Sequence, residues 1–283
     1  MQLSLLLGKN ILSMFLIMVL GYALFIRSFV KAGDIDVLAR INLLVIGPCA
    51  IIESFQMSFS MEKLTGLLLA MLAAVVIHAL YFAAERLLRK PLRLKPVESA
   101  TAIYSNSLNL ILPLIVATMD AEMVFYSSAF MLVQTFLLWT HGKLLITGEK
   151  KISAGDFLNP NILAIIVGLT LYLCRIELPG ILSTSLKSLG SMIGPLSMLS
   201  IGMMLGSVDL KQAFATPRVY LIAALRLVVF PVLAVLVLRY SGLMSLHPAA
   251  SQIFMVTTLA ASSCAASTIP QQAKVYGNEA EYA

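Results

Sequence analysis

Two short stretches combine residue types that apolar sequence does not ordinarily tolerate. "SNSLNLILP", Ser105 to Pro113, places Ser105, Asn106, Ser107 and Asn109 ahead of a proline. "STIPQQ" sets Ser267, Thr268, Gln271 and Gln272 around Pro270, with Ser262 and Ser263 upstream. A proline within a helix has no N–H to donate and displaces the carbonyl one turn back, which for Pro113 belongs to Asn109. Serine, threonine and asparagine side chains then occupy the freed backbone groups or hold a ligand. The chemistry this offers is non-covalent: carbonyls, hydroxyls and amides grouped for binding. A single proline kink in a membrane helix needs no ligand, and Ser and Thr often only bond neighbouring helices. The pairing of two such stretches is what points to a binding site.

Charge inside apolar sequence is the second signal. Arg226 lies eight residues beyond Arg218 in the otherwise uncharged run Val219–Leu238, a depth of about 12 Å along a helix. Glu53 is the one charge within Ile41–Met61. An intramembrane cation pairs with a carboxylate, with backbone carbonyls or with a bound anion. Glu53 is therefore read as a partner of Arg226, as a protonatable group, or as a residue at the outer membrane edge. His78 reads as a packed histidine ahead of a proton relay, and Asp120 and Glu122 as charges on a short outer turn. No phosphate-cradling glycine loop, metal-ligand His/Cys spacing or HExxH is found. The reading is of a protein that is not an enzyme and has no cofactor, with H+ or Na+ as candidate coupling ions.

The elements that position these residues are membrane helices. Apolar residues make up 59% and charged residues 12% of 283 positions, with mean hydropathy +0.93; a soluble domain carries about 25% charge. Seven runs contain no Asp, Glu, Lys or Arg: Asn10–Ile26, Leu64–Ala84, Ser99–Met119, Met123–Thr140, Phe157–Cys174, Ser188–Val208 and Pro248–Ala273. With the two singly charged runs this makes nine segments long enough to cross a bilayer or nearly so. The first has no cleavage site behind it and reads as a retained helix. The formal charge of +6 is distributed by connection: fourteen Lys and Arg lie on one side, including Arg86, Arg89, Lys90, Arg93 and Lys95, and five on the other. That bias excludes a nucleic-acid reading and predicts a multi-pass protein of the inner membrane, N-terminus outside and Pro91–Lys95 in the cytoplasm.

The segments also repeat. Asn-Ile-Leu opens segments one and six (Asn10, Asn161), Ile-Gly-Pro recurs in segments two and seven (Gly47-Pro48, Gly194-Pro195), and Pro113 aligns with Pro270, at offsets of 151, 147 and 157 residues. Five segments per unit is an odd number, so the second unit enters the membrane from the opposite face, as in secondary transporters with midplane sites. The expectation is one repeat over 1–148 and a second over 149–283, the latter lacking its fifth helix, which makes nine of ten. Pro48 and Pro195, each beside glycine among apolar residues, read as kinks or close-packing points.

These motifs together resemble the auxin efflux carrier family, the prokaryotic relatives of the plant PIN carriers. The resemblance rests on "INLLVIGPCAIIESF", "SNSLNLILPL", "NPNILAIIVGL", "SLGSMIGPLSMLSIGMMLG", "LRLVVFPVLAVL" and "AKVYGNEAEYA". It implies an all-α polytopic membrane protein with inverted five-helix repeats and broken crossing helices, the architecture of bile acid:sodium symporter-like proteins. It further implies a secondary transporter or exporter of small organic anions, auxin-like acids or malate- and malonate-type acids, working by alternating access. Arg226 with Pro231 and Asn106 match family positions, whereas Leu108 and Ile111 stand where the family usually has glycine. The candidate substrate-binding residues are Asn106, Ser107, Asn109, Ser267, Thr268, Gln271 and Arg226, with helix breaks at Pro113 and Pro270 and an ion-pair or proton site at Glu53. Sodium-coupled symport of larger organic anions and a non-transporting sensor are the competing readings. The partners implied are the small organic anion and the lipid bilayer, with a homodimer as a candidate assembly.

Overall fold

A computed structural model describes residues 2–148, 160–208, 214–266 and 269. Among them the chain is helical, with one isolated antiparallel bridge, Ser105 to Ala265, in place of any strand. Five helices are long and apolar enough to cross a membrane: Ala32–Ser54, Met61–Leu92, Ala121–Ile146, Gly180–Ser207 and Pro217–Tyr240. Leu12–Ile26, Pro160–Leu173 and Ala250–Ala261 are shorter apolar helices. The fourth segment is divided into α5 (Pro96–Ile103) and α6 (Leu112–Thr118). All nine apolar runs thus have a helical counterpart, and Asp120 falls in the turn before α7 (Ala121–Leu137), where its carboxylate accepts Met123 N–H at 3.2 Å.

Two boundaries differ from the sequence reading. The second segment begins with α2 (Ala32–Ile41) and ends with α3 (Gly47–Ser54), rather than spanning Ile41–Met61. The seventh begins with α10 (Gly180–Ser191) ahead of α11 (Ile193–Ser207). Both early halves carry charge or polar residues, Asp34, Asp36 and Arg40 in one and Lys187 in the other, so a search for uncharged runs starts too late. The break between halves falls at the Ile-Gly-Pro motif in each, as the kink reading of Pro48 and Pro195 expects.

Prolines here rearrange the turn before them. The π turns Asn42–Ile46, Ser107–Ile111 and Leu225–Val229 each end just before a helix with proline at its second residue: Pro48, Pro113 and Pro231. A missing N–H and a displaced carbonyl are accommodated by widening the preceding turn.

The chain forms two compact units. The first contains 1–59, 108–125 and 163–217. In it α1 (Gln2–Ile26) lies along α11 so closely that a Cβ on Gly202 would overlap Met18 O, and one on Gly21 would overlap Leu199 O. Small residues permit this approach where two membrane helices meet. The amphipathic α2 packs on α11, with Asn42 Nδ2 donating to Ser197 Oγ at 2.6 Å, and α3 packs on α10, where Gly190 sits against Ala50. Segments two and seven therefore run antiparallel.

The second unit contains 60–107, 126–162 and 218–283. Its longest helix, α4 (Met61–Leu92), buries Ala70, Ala74, His78, Tyr81 and Glu85 along one face at helical spacing. Against it pack α5, α13 (Phe230–Tyr240) and α14 (Ala250–Ala261), and α8 (Lys143–Thr147) packs on α5, with α12 (Pro217–Ala224) and most of α7 in the same unit; α9 (Pro160–Leu173) starts at the end of this unit's second stretch. Neither unit follows a sequence half. The first takes segments one and two with six and seven, the second takes three and five with eight and nine, and segment four changes unit after Ser107.

Candidate functional site

The second unit contains a crossing of two unwound segments. Helix α5 is started by Pro96 at its first residue and by Glu98, whose Oε2 accepts Lys95 N–H at 2.8 Å. It stops at Ile103, where a run of Ser and Asn offers backbone partners outside a helix, and Tyr104 turns extended with φ −97° and ψ 126°. Helix α14 stops at Ala261, and Ser262–Ala266 are likewise non-helical. The two stretches run antiparallel: Asn106 N–H donates to Cys264 O at 2.8 Å and Ala266 N–H to Tyr104 O at 3.0 Å. This pair of rungs satisfies backbone that would otherwise be exposed at membrane depth.

Gln134 of α7 completes the backbone accounting. Its Oε1 accepts Ser105 N–H at 2.9 Å and also the Ser105 hydroxyl, while its Nε2 donates to Ser105 O and to Ser107 Oγ, both at 2.9 Å. A buried side-chain amide thus serves Ser105 on both its donor and its acceptor, as a neighbouring strand would.

Arg226 closes the crossing from the other side. At 2% exposure, its Nε donates to Ser263 O at 2.8 Å, Nη1 to Ala102 O and Ile103 O at 3.1 Å each, and Nη2 to Ala261 O at 2.6 Å. These are the orphan carbonyls at the C-terminal ends of α5 and α14, where two helix dipoles converge negative end first. One cation compensates both. The remaining Nη2 hydrogen has no partner among the described residues. Tyr81 flanks the guanidinium, 6.0 Å from ring centroid to Cζ, and its buried hydroxyl has no hydrogen-bond partner among the described residues.

Eight residues before Arg226, Arg218 makes a two-pronged pair with Glu98, Nε to Oε1 at 2.6 Å and Nη2 to Oε2 at 2.7 Å, and also donates to Leu92 O and Arg93 O at the end of α4. The two arginines bracket α5, one at each end. Glu98 lies outside the apolar run. Burial raises its carboxyl pKa, but the bonds from Arg218 and from Lys95 N–H outweigh this and leave it below the usual value. A cavity of about 230 Å³ runs along this bracket, lined by Glu98, Thr101 and Arg218, by the apolar face of α12, and by Arg226, Cys264 and Ala265.

Of the sequence candidates, Asn106, Ser107 and Arg226 meet at the crossing. Asn106 is 9% exposed, and its main-chain N–H is the one bonded to Cys264 O. Asn109 lies in the π turn that Pro113 follows. Ser267, Thr268, Pro270 and Gln271 fall outside the described residues. Glu53 is half-buried on α3 in the first unit, while the bonds of Arg226 go to carbonyls of its own unit. His78 is packed as expected: Nδ1 meets Ala74 O at 2.8 Å, and the ring lies 5.0 Å from that of Phe130. Sequence reasoning missed Gln134 and Tyr104. A lone glutamine in an uncharged apolar run was a legible signal; the tyrosine was not.

A membrane-helical bundle with two broken helices, paired through their backbones and braced by a buried arginine, has the form of a membrane transport protein. The chain belongs to the auxin efflux carrier-like membrane transport family: it matches the family described as membrane transport protein over residues 7–155 and again over 149–282. No curated protein matches it significantly.

Proposed function

We propose that this protein is a secondary transporter that moves a small organic anion across the inner membrane by alternating access, with its N-terminus outside. The observation that carries the reading is the cavity ending at the unwound backbone and Arg226, because a buried cation with an N–H uncommitted among the described residues is a place for a carboxylate. Asn106, Ser107 and the Ser267–Gln271 stretch would line the substrate's path beside it. The antiparallel course of segments two and seven, and of the two crossing stretches, supports an inverted repeat.

The test is thermal stability of the purified full chain in detergent with a panel of mono- and dicarboxylates, including malate, malonate and indole-3-acetate. At least one carboxylate raises the melting temperature of the wild type, and Asn106→Ala, folded and inserted, loses that rise. If no panel member stabilises the protein, or if Asn106→Ala responds like the wild type, the assignment fails. A rise that appears only with sodium would favour sodium-coupled symport instead.

A further inference from the structure

The crossing is wired to a titratable pair that the substrate reading does not use. Tyr104, the first residue of the break, is fully buried, and its hydroxyl lies 2.8 Å from His141 Nδ1 and 3.1 Å from Leu137 O. His141 sits half-buried in the π turn Leu138–Gly142, its ring tilted 43° against that of Phe82 with centroids 4.5 Å apart. On α4, Glu85 and Arg89 follow Phe82 by one and two helical turns, on the face that meets the His141 ring. Glu85 is 7% exposed and its Oε1 has no hydrogen-bond partner among the described residues, with Arg89 Nε 3.9 Å away. Arg89 is 45% exposed along its side chain. On the chain's own side, Lys143 follows His141 by two residues and is itself partnered.

One phenolic hydrogen is shared between two acceptors, and this makes the arrangement a two-position switch. With neutral imidazole, the Tyr104 O–H is free to donate to Nδ1. In imidazolium both ring nitrogens are donors, so Nδ1–H must donate to the Tyr104 oxygen, and the phenolic hydrogen is left with Leu137 O. Both acceptors already lie within range, so neither state requires a heavy atom to move. Glu85, buried with an unbonded carboxylate oxygen, supplies the counter-charge an added proton needs. Tyr104 meanwhile accepts Ala266 N–H through its main-chain carbonyl.

We propose that His141, with Glu85 as counter-ion and the Tyr104 hydroxyl as its hydrogen-bond partner beside the helix break, is the binding site of a coupling proton. A hydronium ion gives its proton to the imidazole, one O–H bond breaking as one N–H forms, and the reverse transfer to water releases the proton on the opposite side of the membrane. This rests on the transport reading above.

The experiment uses the full chain in proteoliposomes loaded with the pH indicator pyranine, with radiolabelled malate outside and protein-free liposomes as control. Malate entry by the wild type acidifies the lumen, whereas His141→Gln moves malate without acidification, and Glu85→Gln behaves likewise. Acidification retained in His141→Gln, or malate entry without any proton in the wild type, overturns the proposal. Should the wild type move no malate, the transport reading fails for that acid, and melting temperatures between about pH 5 and 8 still decide the proton site. A pH-dependent shift present in the wild type and lost in His141→Gln supports it; the same pH profile in both overturns it.

Discussion

At the scale of single residues, the buried cation is the most consequential finding. Arg226 was legible in the sequence as a charge too deep to ignore, and the need for a partner was legible with it. That the partners are four carbonyls was not, because Ala102, Ile103, Ala261 and Ser263 present them through their main chains and their side chains carry no signal of it. A planar guanidinium reaches four divergent acceptors, and a lysine ammonium does not. Arg226→Met should lower unfolding stability in detergent by on the order of 3 kcal/mol or more, since several buried acceptors lose their donor at once. Arg226→Lys should recover only part of it. Glu98 makes the pH prediction. Its folded pKa lies below the unfolded value of about 4.3, so the stabilisation from its pair with Arg218 is complete above that value and is lost as pH falls through the folded pKa. The melting temperature should therefore drop on acidification below about pH 5, and Glu98→Gln, starting lower by about 2 kcal/mol, should show a shallower drop.

At the scale of elements, apolar runs locate membrane helices well and their ends poorly. Nine runs have helical counterparts, but α2 and α10 were invisible as parts of their spans because Asp34, Asp36, Arg40 and Lys187 interrupt the uncharged runs. The prolines were legible as breaks, whereas the form of the break was not: a π turn before Pro48, Pro113 and Pro231 depends on which carbonyl finds which N–H. The crossing is also held by an element far away in sequence, since Gln134 on α7 binds both backbone groups of Ser105. Gln134→Leu should cost about 2 kcal/mol and loosen the crossing, read as faster amide hydrogen exchange at Ser105 and Asn106 than in the wild type. In the first unit, Gly202→Ala would force α1 and α11 apart, because the new methyl overlaps Met18 O. Overpacking of that kind costs about 1–3 kcal/mol, seen in the same unfolding assay.

At the scale of the whole molecule, the compact units do not follow the two halves expected from the sequence motifs, because they follow packing: the first takes segments one, two, six and seven, and the second takes three, five, eight and nine. Orientation rests on fourteen cationic residues against five, so a cysteine replacing Arg93 should react with an impermeant maleimide only from the cytoplasmic side, and one replacing Arg175 only from outside; the reverse pattern would invert the topology. The central claim is that the crossing braced by Arg226 carries a small carboxylate. Uptake of radiolabelled carboxylates into proteoliposomes containing the full chain tests it most directly, comparing the wild type with a folded Asn106→Ala. The account predicts saturable uptake of at least one carboxylate by the wild type and little or none by Asn106→Ala. Equal uptake by the two proteins, or no carboxylate uptake beyond protein-free liposomes, would contradict it.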